Sequence, residues 1–230
     1  MAEIVLKVND VSKYYNISNS GSISRDLSNW MSSKKQARPN GKLWALQNID
    51  FELRKGDRLA VTGDNGAGKS TLLKILSRIT TPSSGTIHGK GKITSMLEVG
   101  IGFHPELSGI ENIYLNGAML GMTKRDIKSK VEEIVDFAQV TNQINNPVKR
   151  YSSGMYMRLA FATAAHLQSD TMIMDEVLAV GDQNFKKKCI RKLNDLSKDF
   201  GKTIILVSHD KENLSSLCNK EIKLIKGMME

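Results

Sequence analysis

From Arg58 onward, short apolar runs alternate with stretches whose apolar residues recur every three or four positions. That alternation predicts a parallel sheet wrapped by helices. Residues 58–62 (RLAVT), 171–175 (TMIMD) and 203–208 (TIILVS) predict buried strands, and TLLKILSRI, after the first, has helical spacing. Before residue 55 the pattern differs: EIVLKV and NIDFEL predict strands of an antiparallel N-terminal layer. Residues 121–140 and 153–168 are helical in pattern, with no convincing strand between Val99 and Ser169, so a block of helices is expected to interrupt the sheet. Residues 16–42, rich in Ser, Asn and Lys, predict an insertion between two strands. Within it Ile23, Leu27, Trp30 and Met31 form one apolar stripe on a short helix over residues 22–32, followed by Lys34, Lys35 and Arg38.

The 230 residues suffice for one large α/β domain. No apolar stretch approaches the roughly 18–20 residues of a membrane span, and the N-terminus lacks the regions of a signal peptide, so a soluble, cytoplasmically made chain is expected. Cys189 and Cys218 show neither metal-ligand spacing nor a disulfide framework, which suits a reducing compartment. The net charge of +9 is clustered: Lys13, Arg25, Lys34, Lys35, Arg38 and Lys42 against Asp26, and then FKKKCIRK from Phe185 to Lys192. Such clusters suit a nucleic acid or an anionic membrane surface, or are simply solvated faces.

Gly63-Asp64-Asn65-Gly66-Ala67-Gly68-Lys69-Ser70, followed by Thr71, matches G-x-x-x-x-G-K-[ST] at every fixed position. The glycines let successive backbone N–H groups face phosphate oxygens, Lys69 can reach the β- and γ-phosphates, and Ser70 can supply an oxygen to Mg²⁺. A chance match in a chain of this length is on the order of one in a hundred. The second buried strand ends in Asp175 and Glu176. Alternation aims these two side chains apart, so Asp175 can hold Mg²⁺ through water while Glu176 faces an attacking water. An acid at a strand end is also an ordinary turn or cap; a phosphate loop in the same chain favours the catalytic reading. His209 follows the third strand, at the edge where ligands of open α/β sheets gather. YSSGM adds a second candidate anion site: Ser152 and Ser153 are good N-caps, and Gly154 permits close backbone approach at the start of an apolar helix.

This order (phosphate loop, helical block, Ser-Ser-Gly, acidic strand end, His) resembles the nucleotide-binding domain of ATP-binding cassette (ABC) proteins across essentially the whole chain. The resemblance implies an α/β P-loop NTPase fold with an N-terminal antiparallel β layer and an inserted helical subdomain. It implies one domain over 1–230, with a RecA-like core at 1–98 and 169–230, the helical subdomain at 99–168 and the insertion at 16–42. ATP and Mg²⁺ are the implied cofactors. In that family the Ser-Gly segment contacts the γ-phosphate of ATP held by a second copy, so Ser152, Ser153 and Gly154 would serve a partner in an ATP-closed homodimer. Tyr15 falls where the family places a ring against adenine; Tyr14 and Trp44 are rivals, and core packing is the alternative. Glu176 and His209 take the catalytic positions, and Asp182 that of the D-loop. Glu98 stands where most members carry the Q-loop glutamine, near nucleotide and metal.

That departure, with EVGIGFHPELSGIEN after it, YSSGM as signature and DEVLAVGD at the acidic strand, resembles the ATPase subunits of bacterial polysaccharide exporters for O-antigen, capsule or teichoic acid. The resemblance implies ATP hydrolysis on the cytoplasmic side of the inner membrane. It also implies docking to two copies of an integral membrane permease and export of a lipid-linked or otherwise anionic glycan, with no nucleic-acid partner. Such exporters carry a helix near residues 16–42, by the channel entrance. Some add a carbohydrate-binding domain after the ATPase; the sequence ends at Glu230, so that module is expected to be absent. Two rival readings stand beside this one. A soluble ABC ATPase acting on nucleic acid or the ribosome would suit the charge, whereas a P-loop small-molecule kinase leaves Ser153, Gly154 and His209 unexplained.

Overall fold

The computed structural model describes residues 3–16, 41–96, 102–119, 121–166, 169–175, 182–208 and 211–230. Glu98, Glu176, His209 and the helix expected over 22–32 lie outside them.

Strand β1 (Ile4–Asn16) pairs antiparallel with β2 (Lys42–Arg54), from Ile4↔Arg54 to Asn16↔Lys42. A third strand, numbered β4 in chain order (Ser84–Gly89), pairs antiparallel on β1's other edge, completing the N-terminal layer. The strands expected at 3–8 and 48–53 are halves of longer ones. Register shifts at Val8/Val11, Val11/Lys13 and Lys13/Tyr14 break the two-residue alternation in the other halves.

The second sheet is built from β3 (Arg58–Gly63), β5 (Ile93–Met96), β6 (Thr171–Asp175), β7 (Thr203–Val207), β8 (Lys220–Ile225) and β9 (Met228–Met229). Its order is β5-β6-β7-β3-β8-β9, parallel except for β9. Both faces are covered, which is why its central strands are apolar at nearly every position. Met172, Met174, Ile204, Leu206 and Ala60 enter one core with the helices that follow β5. Leu59, Val61, Ile173, Ile205 and Val207 enter the other, shared with β1, β2 and α1 (Lys69–Leu76).

Between β5 and β6 stand α2 (Gly109–Met119), α3 (Lys124–Ala138) and α4 (Ser153–Ala165). The described residues there hold no strand beyond the single bridge Ser108↔Pro147. The helix expected over 121–140 is shorter at both ends. Thr123 and Asp126 form a reciprocal capping box at its start, and Gln139 turns left-handed (φ 57°) at its end. The pattern did not predict α2, which contains Gly109 and Gly117, yet Ser108 and Glu111 spell a capping box: Glu111 Oε2 accepts from Ser108 N at 2.8 Å. Helices α5 (Gln183–Lys198) and α6 (Lys211–Leu217) complete the layers. No helix among the described residues is long and apolar enough to cross a membrane.

Candidate functional site

The parallel strands bring their carboxyl ends to one edge. Val61 and Asp175 both lie level with Val207, two interstrand spacings apart, about 10 Å, and Gly63 follows Val61 by two residues at the same edge. From Gly63 the chain turns through Asp64–Ala67 into α1, whose N-cap Gly68 has φ 110°. A side chain at Gly68 would meet the Ala45 carbonyl at 2.6 Å and Leu46 Cδ2 at 2.8 Å, so β2 passes too close for any other residue. The loop is braced opposite as well: Gly227 N donates to Ala67 O at 3.0 Å, from a two-residue hairpin in which Lys226 and Gly227 both have positive φ.

Lys69 is 9% exposed, and its ammonium donates to Gly63 O at 2.6 Å and Asp64 O at 3.0 Å. Two of three donors therefore hold the loop's own carbonyls, and the third is left for a phosphate. A cavity of about 300 Å³ opens here, lined by Asn65, Gly66, Gly68, Lys69, Ser70, Thr71 and Asp175 together with Leu43, Trp44 and Ala45 of β2. Ser70 and Asp175, the two described metal candidates, thus share one space. Their hydroxyl and carboxylate are hard oxygen donors that suit Mg²⁺. The described residues hold no cluster of three or more His, Cys, Asp or Glu able to cage an ion. A larger cavity of about 860 Å³, on the β8 side, is lined by Asp64, Asn65, Ser208, Glu221 and Lys223 among others. Of the two, only the smaller is lined by Lys69, Ser70 and Asp175.

Tyr14 lies opposite Trp44 and meets it edge to face at 5.2 Å; Tyr15 lies opposite Leu43, exposed, with Lys13 Nζ 5.2 Å from its ring centroid. Of these three rings only Trp44 lines the 300 Å³ cavity. The β1–β2 register decides this, and no short-range pattern reveals it.

Ser152 caps α4, its Oγ accepting from Met155 N at 3.2 Å, and Ser153 opens the helix. Gly154 has no positive φ, and a side chain there would meet only Ser152 Oγ, at 3.9 Å. Its own chain therefore does not require a glycine. None of the described cavities joins Ser152–Gly154 to the phosphate loop. Asp182 caps α5 by accepting from Phe185 N at 2.8 Å. Both thiols are raised by burial, Cys189 to about 12 and Cys218 to about 11, so neither is poised as a nucleophile.

A phosphate loop and an acidic strand end on one edge of a parallel sheet, beside an antiparallel β layer, define a nucleotide-binding cassette. The chain belongs to the ABC transporter family, whose profile matches residues 46–179. It is 44% identical over 194 residues to the O-antigen export system ATP-binding protein RfbB of Myxococcus xanthus, covering 84% of this chain and 44% of that protein. With RfbB of Klebsiella pneumoniae the identity is 38% over 221 residues, 96% of this chain and 89% of that protein. With the teichoic acids export ATP-binding protein TagH of Bacillus cereus it is 42% over 186 residues, 81% of this chain and 34% of that protein. The chain thus spans less than half the length of two of these relatives. In fold it is similar to a solved ATP-binding cassette, dimeric in a post-hydrolysis state bound to ADP and Pi, with a TM-score of 0.78 and 20% identity, covering 98% of this chain and 96% of that one.

Proposed function

We propose that this chain is the ATP-hydrolysing subunit of an ABC exporter of a polysaccharide of O-antigen, capsular or teichoic-acid type. It works as an ATP-closed homodimer on the cytoplasmic face of the membrane, beneath two copies of an integral membrane permease. Residues 1–230 form one nucleotide-binding domain with α2–α4 as its helical subdomain. The observation that carries this reading is the convergence of Lys69, Ser70 and Asp175 on one cavity at the phosphate loop. The names of the relatives support the cargo class.

The backbone N–H groups of residues 64–71 and the spare donor of Lys69 bind and orient the phosphates. Ser70 and Asp175, with Glu98, hold Mg²⁺, which when bound neutralises charge on the β- and γ-phosphates. Glu176 takes the proton of the attacking water and His209 positions the γ-phosphate. Tyr15, Tyr14 or Trp44 stacks on the base, and Asp182 stands at the dimer face. Ser152, Ser153 and Gly154 present a helix N-terminus to the partner copy's γ-phosphate. The rival reading, a nucleic-acid partner, loses support in FKKKCIRK, because Lys188 and Lys192 are engaged within the chain.

Deleting the gene should remove the surface polysaccharide, and the parent chain should restore it. Lys69→Ala should restore nothing, and its affinity for ATP with Mg²⁺ should fall by about tenfold or more, the scale of losing a charge-assisted hydrogen bond. Intact surface glycan in the deletion strain would refute export as the function.

A further inference from the structure

The basic run 185–192 is a joint as well as a charged surface. Lys188 turns its ammonium onto the C-terminal carbonyls of α3, 3.0 Å from Phe137 O and 3.3 Å from Asp136 O, with Nζ 4.5 Å from the centroid of the Phe137 ring. The last carbonyls of a helix lack intrahelical donors and carry its negative end, so a cation bound there pins the helix by its tip. One turn on, Lys192 Nζ donates to Glu133 Oε1 at 3.0 Å, in a carboxylate that Lys130 also meets at 2.8 Å. Two attachments a turn apart resist rotation as well as separation. Beneath them buried Phe185 packs edge to face on Phe137 and Phe161, at 5.7 and 6.3 Å, and Arg158 lies 5.9 Å from its centroid. Arg158 and Phe161 belong to α4, the helix that starts at Ser153.

The other half of α5 grips the parallel sheet. Asn194 Oδ1 accepts from Arg58 Nη1 at 2.9 Å, and Ser197 Oγ donates to Gly56 O at 2.9 Å. Arg58 opens β3, the strand that ends at Gly63. One helix therefore runs from the strand that leads into the phosphate loop to α3 and to α4, the helix that starts at Ser153.

We infer that α5 is a strut fixing the pose of the Ser152–Gly154 helix start relative to the phosphate loop, with Lys188 and Lys192 as positioning residues. Its consequence for hydrolysis rests on the reading that Ser152–Gly154 serve the partner's nucleotide. A pose error at that end degrades the partner's site while leaving the chain's own phosphate loop intact, so the strut acts on turnover and not on nucleotide capture.

Lys188→Met keeps the apolar stem and removes the ammonium; Lys188→Arg keeps a cation. In Lys188→Met, amides in the first turn of α4, including Met155 N, should exchange about tenfold faster, and kcat should fall about five- to tenfold with ATP KM within about twofold of the parent. Lys188→Arg should return both to within about twofold. Lys192→Met, which leaves Lys130 on Glu133, should shift both in the same direction and serves if Lys188→Met does not fold. Unchanged α4 exchange in both Met variants would overturn the strut. So would acceleration spread equally over β3 and β6, which marks plain destabilisation. Hydrogen exchange decides the matter whether or not the chain hydrolyses ATP; a parent without ATPase activity overturns the proposed function alone.

Discussion

Gly68 and Gly154 answer to opposite constraints. At Gly68 the backbone has φ 110° and the Ala45 carbonyl stands 2.6 Å from where a Cβ would sit. Gly68→Ala should therefore cost about 2 kcal/mol or more, the scale of backbone strain joined to a clash, seen as a lower urea midpoint, and should abolish ATP binding. Gly154 lies in helix with open space around it. Gly154→Ala should stabilise the isolated chain by about 0.5–1 kcal/mol, the helix preference for alanine, yet lower ATP hydrolysis at least tenfold, because the added methyl obstructs only an approaching partner nucleotide. A parental rate in Gly154→Ala would remove that residue from the site. Glu176 is testable by the same logic. Glu176→Gln should keep ATP binding while hydrolysis falls by roughly 10² or more, the scale of a lost general base, and gel filtration should show ATP-loaded dimers accumulating. If the variant hydrolyses at the parental rate, Glu176 is not the base.

Among elements, the junction of α3, α4 and α5 carries a strongly pH-dependent contact. The Lys130 hydrogen bond, opposed by partial burial and reinforced by Lys192 and neighbouring His166, holds the Glu133 carboxyl down to about 2, from an ordinary value of 4.5. His166 is itself held below the usual imidazole range by burial, although its Nε2 lies 3.1 Å from Glu133 Oε1. A carboxyl whose folded value is depressed stabilises the fold above its unfolded value, and that contribution disappears as pH falls from about 4.5 towards 2. The pair is partly exposed, so the parent should exceed Glu133→Gln by only about 0.2–1 kcal/mol at pH 6 and by nothing near pH 2, by urea denaturation at each pH. An equal gap at both pH values would remove the charge from the account. The same junction shows what a sequence reveals. Strands β3, β6 and β7 are legible because sheets covered on both faces need unbroken apolar runs, and the phosphate loop because its chemistry sits at fixed short spacing. Helix α2 was obscured by Gly109 and Gly117; in the latter case a side chain would meet Ile127 at 2.7 Å, so packing chose the glycine against helix propensity. The placement of Trp44 depends on bulges in a long antiparallel pair, and that of Lys188 on a partner fifty-one positions away. Neither leaves a periodic signal.

At the scale of the whole molecule, the described chain carries two candidate anion-binding ends that no described cavity unites: the phosphate loop and the start of α4. If each completes the other only between copies, damage to the two ends should be complementary. Ser153→Arg fills the helix start with a bulky cation and leaves the phosphate loop sound; Lys69→Ala does the reverse. Each variant alone should hydrolyse almost no ATP, because every site in its homodimer holds one damaged half. In a heterodimer the sound phosphate loop of the first meets the sound helix start of the second, and one of two sites is whole. Random exchange of equal amounts makes about half the dimers mixed, so activity should return to about one quarter of the parent if the sites act independently. Steady-state ATPase assays on the mixture, with heterodimers verified by mass or by differential tags, give the answer. A recovered rate that rises with the heterodimer fraction places Ser153 in the partner's site. Activity no greater than the sum of the two variants, with heterodimers present, would mean that the start of α4 does not serve the partner's nucleotide, and the glycine at 154 would then need another reason.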